Sequence, residues 1–155
     1  MRLFAFLALA AIAVAPVSAQ DSPPGAEPAV GGLVELRASA EAIDPLAQAP
    51  ESEAAWQAVL DALRAEGGPV AEQATALNRI GDARYYQQNF PGALETSLAA
   101  IALLEERGES EGEAMAESLA NAAVFYSVNG QPEFQLPFQE RSLAIRTRAS
   151  APGRA

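Results

Sequence analysis

The chain matches itself when shifted by 42 residues: Ala74 falls on Ala116, Leu77 on Leu119 and Leu94 on Leu136. In the same register Val59, Ile101 and Leu143 form an apolar column, and Ala58, Ala100 and Ser142 a column of small residues. Within each period the apolar residues recur at three- and four-residue steps. That is the pattern of helix pairs, each of which buries its apolar stripe on the next pair.

Glycine and proline divide the pattern into five helices. Trp56, Val59, Leu60 and Leu63 define the first, which stops at Gly67-Gly68 with Pro69 beyond. The second, about 70–87, carries Ala74, Leu77, Ile80, Gly81 and Tyr85. After Asn89-Phe90-Pro91-Gly92 the third runs through Leu94, Leu98, Ile101 and Leu104 to Gly108, with Pro91 suited to its opening turn. A fourth, about 111–128, ends at Asn129-Gly130, and the last carries Leu136, Leu143 and Ile145 to about Arg148. Pro132 and Pro137 crowd its start. Short connections make neighbours antiparallel. The expected fold is all-α: antiparallel helix pairs stacked as a short right-handed superhelical solenoid of about 2.5 repeats.

Hydrophobic residues make up 50% of the chain but aromatics only 6%, the excess being alanine, which suits closely packed helices. There is no histidine and no cysteine, and all ten basic residues are arginine. This excludes imidazole- or thiolate-based nucleophilic catalysis, structural zinc, haem and iron–sulfur ligation, a Schiff-base lysine and any disulfide. No catalytic, cofactor-binding or metal-ligating set is expected.

Four segments are distinguished. Met1-Arg2, the apolar run 3–17 and Val17-Ser18-Ala19 read as a signal peptide over residues 1–19, cut before Gln20. The fifteen apolar residues fall short of the roughly 20 that span a bilayer, so a retained anchor is the weaker reading. Residues 20–50, rich in Pro, Gly, Ala and acids, read as a flexible spacer. Leu33, Leu36, Ala40 and Ile43 offer one short amphipathic helix within it, ended by Asp44-Pro45. Residues 51–148 form the repeat domain and 149–155 a disordered tail. Export without cysteine points to the periplasm of a Gram-negative bacterium or to secretion.

The repeat resembles the tetratricopeptide repeat family. Leu77, Gly81, Ala93 and Ala100 fill its consensus places in the first full pair, and Leu119, Ala123, Tyr126, Gly130 and Ser142 in the second. The longer period and the string Gln139-Glu140-Arg141-Ser142-Leu143-Ala144-Ile145-Arg146 look like the kinesin light chain variant. Arg84 at an aromatic position and Gln135 at a small one depart from the pattern. The resemblance implies a concave surface, lined by the first helix of each pair, that receives a peptide or partner protein. It places Asn78, Arg79, Asp82, Tyr85 and Tyr86 on or near that face in one pair, and Glu117, Asn121, Val124 and Ser127 in the next. Of these, Asn78, Arg79, Asp82, Tyr85, Asn121 and Val124 are the candidate partner-binding residues.

Each candidate has a plainer alternative. The Asn121 amide can donate to and accept from a peptide backbone at once, or simply sit solvated in a consensus slot. Tyr85 and Tyr86 read as a contact platform or as packing at a helix end. Arg79 and Asp82, three residues apart, grip a charged ligand or form a surface ion pair. Trp56 is a docking residue or a cap over the open end of the array.

The charges segregate as well. The whole chain carries −10, with every acidic residue between 20 and 140, while Arg141, Arg146, Arg148 and Arg154 make the end basic. So acidic a body argues against nucleic acid. The basic end is open to anionic lipid, to an acidic neighbour or to solvent alone. The acidic run 105–113 lacks the ligand spacing of a calcium loop. The expectation is a non-enzymatic, exported protein–protein interaction module binding through its concave face. The alternative is an N-terminal fragment or accessory part of a larger repeat-containing enzyme or assembly.

Overall fold

Four of the helices stop where the backbone turns left-handed. In a computed structural model, which describes residues 30–151, α1 (Val30–Glu41), α2 (Ala49–Ala65), α3 (Val70–Tyr86), α4 (Phe90–Glu106), α5 (Glu113–Val128) and α6 (Gln135–Ser150) follow in order, a short 3-10 turn at Pro132–Phe134 preceding α6. Gly67, Gly108 and Gly130 take φ of 64°, 74° and 77° just past α2, α4 and α5. Each is braced in the same way: after α2, Gly68 N donates to Leu63 O at 2.7 Å and Gly67 N to Arg64 O at 3.3 Å. After α3 the same pair of bonds forms around Gln88, whose φ of 62° is the one positive value at a non-glycine among the described residues. Asn89 then caps α4, accepting from Gly92 N at 3.1 Å.

The described residues are all-α and contain no strand, and adjacent helices pack against each other as a solenoid of three pairs. None of these helices is long and apolar enough to cross a membrane. Residues 1–19, read as a signal peptide, residues 20–29 of the segment read as spacer, and the last four residues of the tail lie outside the described residues.

Burial refines the repeat. Between α3 and α5 the 42-residue shift pairs buried with buried at five steps: Ala74/Ala116, Leu77/Leu119, Ile80/Ala122, Gly81/Ala123 and Ala83/Phe125. For the second helices the matching shift is 41. Leu60/Ile101/Ser142 and Leu63/Leu104/Ile145 are buried throughout α2, α4 and α6. The column expected from Val59, Ile101 and Leu143 is therefore corrected, since Leu143 is 66% exposed on α6. Leu136, set against Leu94, is exposed too, as is Ala58 in the small-residue column. One residue fewer separates α5 from its partner than α3 from its own, and one step along a helix turns a side chain off the buried stripe.

The segment 20–50, read as spacer, is corrected in its second half. α1 is three turns long, buries Ala40 and is tied to α3 by an ion pair between Arg37 and Glu72. It supplies the missing partner of α2, so the expected 2.5 repeats are three pairs. Its burial follows α3 at the 41-residue shift: Leu33, Arg37 and Ala40 stand where Ala74, Asn78 and Gly81 stand in α3.

Two substitutions test this packing from opposite sides. A Cβ on Gly81 would lie 2.9 Å from Thr96 Oγ1, 3.3 Å from Phe125 and 3.4 Å from the Ala93 carbonyl. Thr96 cannot swing away freely, because its hydroxyl donates to Ala93 O at 2.8 Å. Gly81→Ala is thus expected to destabilise by about 1–3 kcal/mol, although alanine is the better helix former. Gln88→Gly removes the left-handed penalty and is expected to stabilise by about 0.5–1 kcal/mol. Chemical denaturation of the two variants reads both signs.

Candidate functional site

The first helices of the second and third pairs are joined by a polar cluster. Arg79 on α3 reaches Asp82 at 3.3 Å and crosses to Glu117 on α5 at 3.1 Å. The Asn121 amide on α5 crosses back, donating to Asp82 Oδ1 at 3.3 Å. Burial pushes the Asp82 carboxyl above its ordinary value of 3.8; the charge and hydrogen bond of Arg79 oppose this without overcoming it, and Glu117 adds to the rise. Glu53 on α2 behaves in the opposite way. Burial raises it, but hydrogen bonds from Arg84 at 2.8 Å and Gln87 at 2.7 Å, with the Arg84 charge, hold it below its ordinary value. Glu53 is a satisfied structural acid, and Asp82 is an under-neutralised one.

Beside this cluster the array opens. α3 packs directly on α5, whereas no Cα of α1 comes within 8 Å of α3. Proline explains part of the gap. α1 ends at Glu41, and Asp44-Pro45 follows where α3, at the 41-residue shift, continues to Tyr86. The Asp44 side chain instead accepts from Leu46 N at 2.9 Å and holds a turn. The space left is a cavity of about 270 Å³ lined by residues of α1, the α1–α2 connection, α2 and α3, among them Glu41, Ser52, Trp56, Arg79 and Asp82. A second hollow of about 150 Å³, lined by Arg37, Glu41, Trp56, Val59, Glu72 and Thr75, shares Glu41 and Trp56 with it. The two make one cleft between α1 and α3, floored by α2. The larger hollow falls just under the roughly 300–1,000 Å³ of small-molecule pockets, so the cleft has room for a side chain rather than a cofactor.

Of the candidate residues, Arg79, Asp82 and Asn121 are brought together, and Arg79 and Asp82 line the cleft. Asn78 is corrected: it is 0% exposed, with neither amide atom hydrogen-bonded among the described residues. The phase of α3 explains this, because the stripe that buries Ala74, Leu77 and Gly81 takes Asn78 with it and turns Thr75, Arg79 and Asp82 outward. Tyr85 is half-buried and packs its ring on Tyr86, Phe90 and Phe125, at 5.5, 5.6 and 5.7 Å between centroids. Val124 is 44% exposed but lines a separate groove between α5 and α6 with Ser142, Leu143 and Arg146. The single tryptophan is neither an end cap nor exposed; it is 7% exposed and forms the cleft floor. Glu41 and Ser52 were not singled out from sequence. The available signal was Asp44-Pro45, which stops α1 a turn early.

No protein-family model matches the chain, and no curated protein matches it in sequence.

The Asp82 shift has a signed consequence. A carboxyl raised on folding contributes stability below its unfolded value, and loses it as pH rises through the folded value. The stability of Asp82→Asn minus that of the natural chain is therefore expected to grow as pH climbs upward from about 3.8 and then to level off. Urea unfolding at several pH values measures the difference. A difference that shrinks with rising pH would show that Arg79 overcompensates.

Proposed function

We propose that the chain is an exported, non-enzymatic interaction module of tetratricopeptide type, which binds a peptide or partner protein along the face formed by α1, α3 and α5. The observation that carries this reading is the cleft between α1 and α3, continuous with the Arg79–Asp82–Asn121 cluster. Helical arrays recognise partners with side chains held at fixed spacing on rigid elements, and the α3–α5 contact provides such a wall. The direct repeat of buried small residues, Ala74 and Gly81 with Ala116 and Ala123, supports the family assignment. The lack of His, Cys and Lys supports a non-catalytic role. The N-terminal run 1–19 supports export.

A second reading, an accessory part of a larger assembly, rests on α6. Leu136 and Leu143 are 60% and 66% exposed on this last helix, and exposed apolar residues on the terminal element of an array suit a covering partner.

A photo-crosslinking residue at Thr75, on the cleft wall, is expected to capture a partner from envelope extracts. The same residue at exposed Ala99, on α4, is expected to capture none. Adducts from Ala99 alone would move the binding surface to the other layer of helices.

A further inference from the structure

The polar groups of the cleft do not balance. Four carboxylates face it or border it, Glu41, Glu72, Asp82 and Glu117, against two guanidinium groups, Arg37 and Arg79. Both arginines are already engaged, Arg37 by Glu72 and Arg79 by Asp82 and Glu117. Glu41 has no ion pair among the described residues and belongs to both hollows. Asp82 receives only two long contacts, each of 3.3 Å. Trp56 and Ser52, 7% and 1% exposed, line the same hollow as these two acids, and neither side chain makes a hydrogen bond among the described residues.

We infer that this cleft receives a basic side chain, arginine or lysine, of an extended partner polypeptide, held by the carboxylates of Glu41 and Asp82 against the Trp56 indole. The inference rests on the reading of this face as the partner-binding face, and it names the chemistry of the partner. The alternatives fail on charge and size. An acidic side chain would have to pull Arg37 or Arg79 out of an existing pair and would add a fifth negative charge. An apolar one would remove Glu41 and Asp82 from water with nothing in exchange. A cation gains from both carboxylates and from the indole, which attracts positive charge more strongly than any other aromatic ring. The flexible stem of arginine or lysine suits the room between Ile43, Pro45 and Trp56, with its charged end at the acids. The acidic body also draws a basic partner toward the cleft before contact.

Trp56, the one tryptophan, reports on the cleft directly. Blocked Gly-Ser peptides with a central arginine, lysine, citrulline, leucine or glutamate are titrated into the mature chain, following its indole N–H resonance and fluorescence. The arginine and lysine peptides are expected to shift both signals, with affinity falling as salt rises; citrulline, leucine and glutamate peptides are expected to bind at least about fivefold more weakly. Glu41→Gln is expected to weaken the arginine peptide by about fivefold. Its thermal midpoint is expected to stay the same, since Glu41 is exposed and unpaired among the described residues. Glu106→Gln, with the same charge change on distant α4, is expected to leave binding unaltered.

Equal binding of the citrulline peptide, or equal weakening by Glu41→Gln and Glu106→Gln, overturns the inference in favour of shape or diffuse charge. N-acetyl-arginine amide binding as tightly as the peptide overturns it in favour of a small-molecule site. Response to the glutamate or leucine peptide alone overturns the basic partner but keeps the cleft as a binding face. Silence of Trp56 toward every peptide overturns both the inference and the face.

Discussion

The molecule depends on how closely α3 approaches its neighbours. Three helices meet at Gly81, where a single methyl group would press on Thr96 of α4 and Phe125 of α5. The same economy runs through the core. Ala74, Ala83, Ala93, Ala100, Ala116, Ala122 and Ala123 are all fully buried, and the larger side chains sealed about as completely among the described residues include Leu60, Leu63, Ile80, Leu104, Met115, Leu119, Val59 and Asn78. Alanine removes little apolar area from water per residue, so such a core gains through many short interhelical contacts rather than through a few large side chains. The exact fit of α3 on α5 is the consequence. It brings Arg79 within reach of Glu117 and Asn121 within reach of Asp82, and so builds the polar wall of the cleft.

α1 belongs to the same array under a different balance of forces. It buries Ala40 fully and Leu33 in part, while Val34 and Leu36 remain exposed, and its link to α3 is an ion pair on half-exposed side chains. Pairs of that kind contribute at most about 1 kcal/mol. Few buried apolar contacts mean a low cost of local opening. The cleft therefore has one rigid wall, α3 braced by α5, and one yielding wall, α1. A partner side chain can enter at the cost of moving α1 alone, without disturbing Gly81 and the contacts around it.

What was legible in the sequence follows from the range of the interactions. α2 to α6 could be read because each helix needs a stripe of apolar residues and a stop, and both are local: Gly67, Gly108 and Gly130 all sit at left-handed turns. Asn78 was misplaced because neighbours such as Asn78 and Arg79 lie about 100° apart around a helix, so an alignment to a consensus assigns a face only as finely as its register. The 42-residue shift was right for α3 and α5 and one too many for the second helices, which is why Leu143 was expected inside. α1 was nearly hidden because its apolar stripe is weak and its content resembles a spacer. Trp56 and Glu41 gain meaning only from a tertiary gap that no single helix encodes. Arg79, Asp82 and Asn121 could be found because, unlike Asn78, they lie off the buried stripes of α3 and α5.

The negative charge of the cleft follows from where the arginines are held. The basic end anticipated from Arg141, Arg146 and Arg148 is not a free patch, because these groups reach Glu105 at 2.7 Å, Glu113 at 2.9 Å and Glu111 at 2.6 Å. The acidic run that resembled a poor calcium loop is thus matched by arginines brought back over it by α6. Each pair is exposed and weak on its own. Their joint effect is one of placement: three of the described arginines are committed to the C-terminal end of the array. Arg84 is committed to Glu53 in the middle. Arg64 and Arg107 border a groove at the loop ends of α2 and α4 that no described residue of α1 lines. None of these four committed or two distant arginines lines the hollows beside Glu41. The excess negative charge there is therefore not an average property of an acidic protein but the result of where its few cations are held, and it is left for a cation from outside to meet.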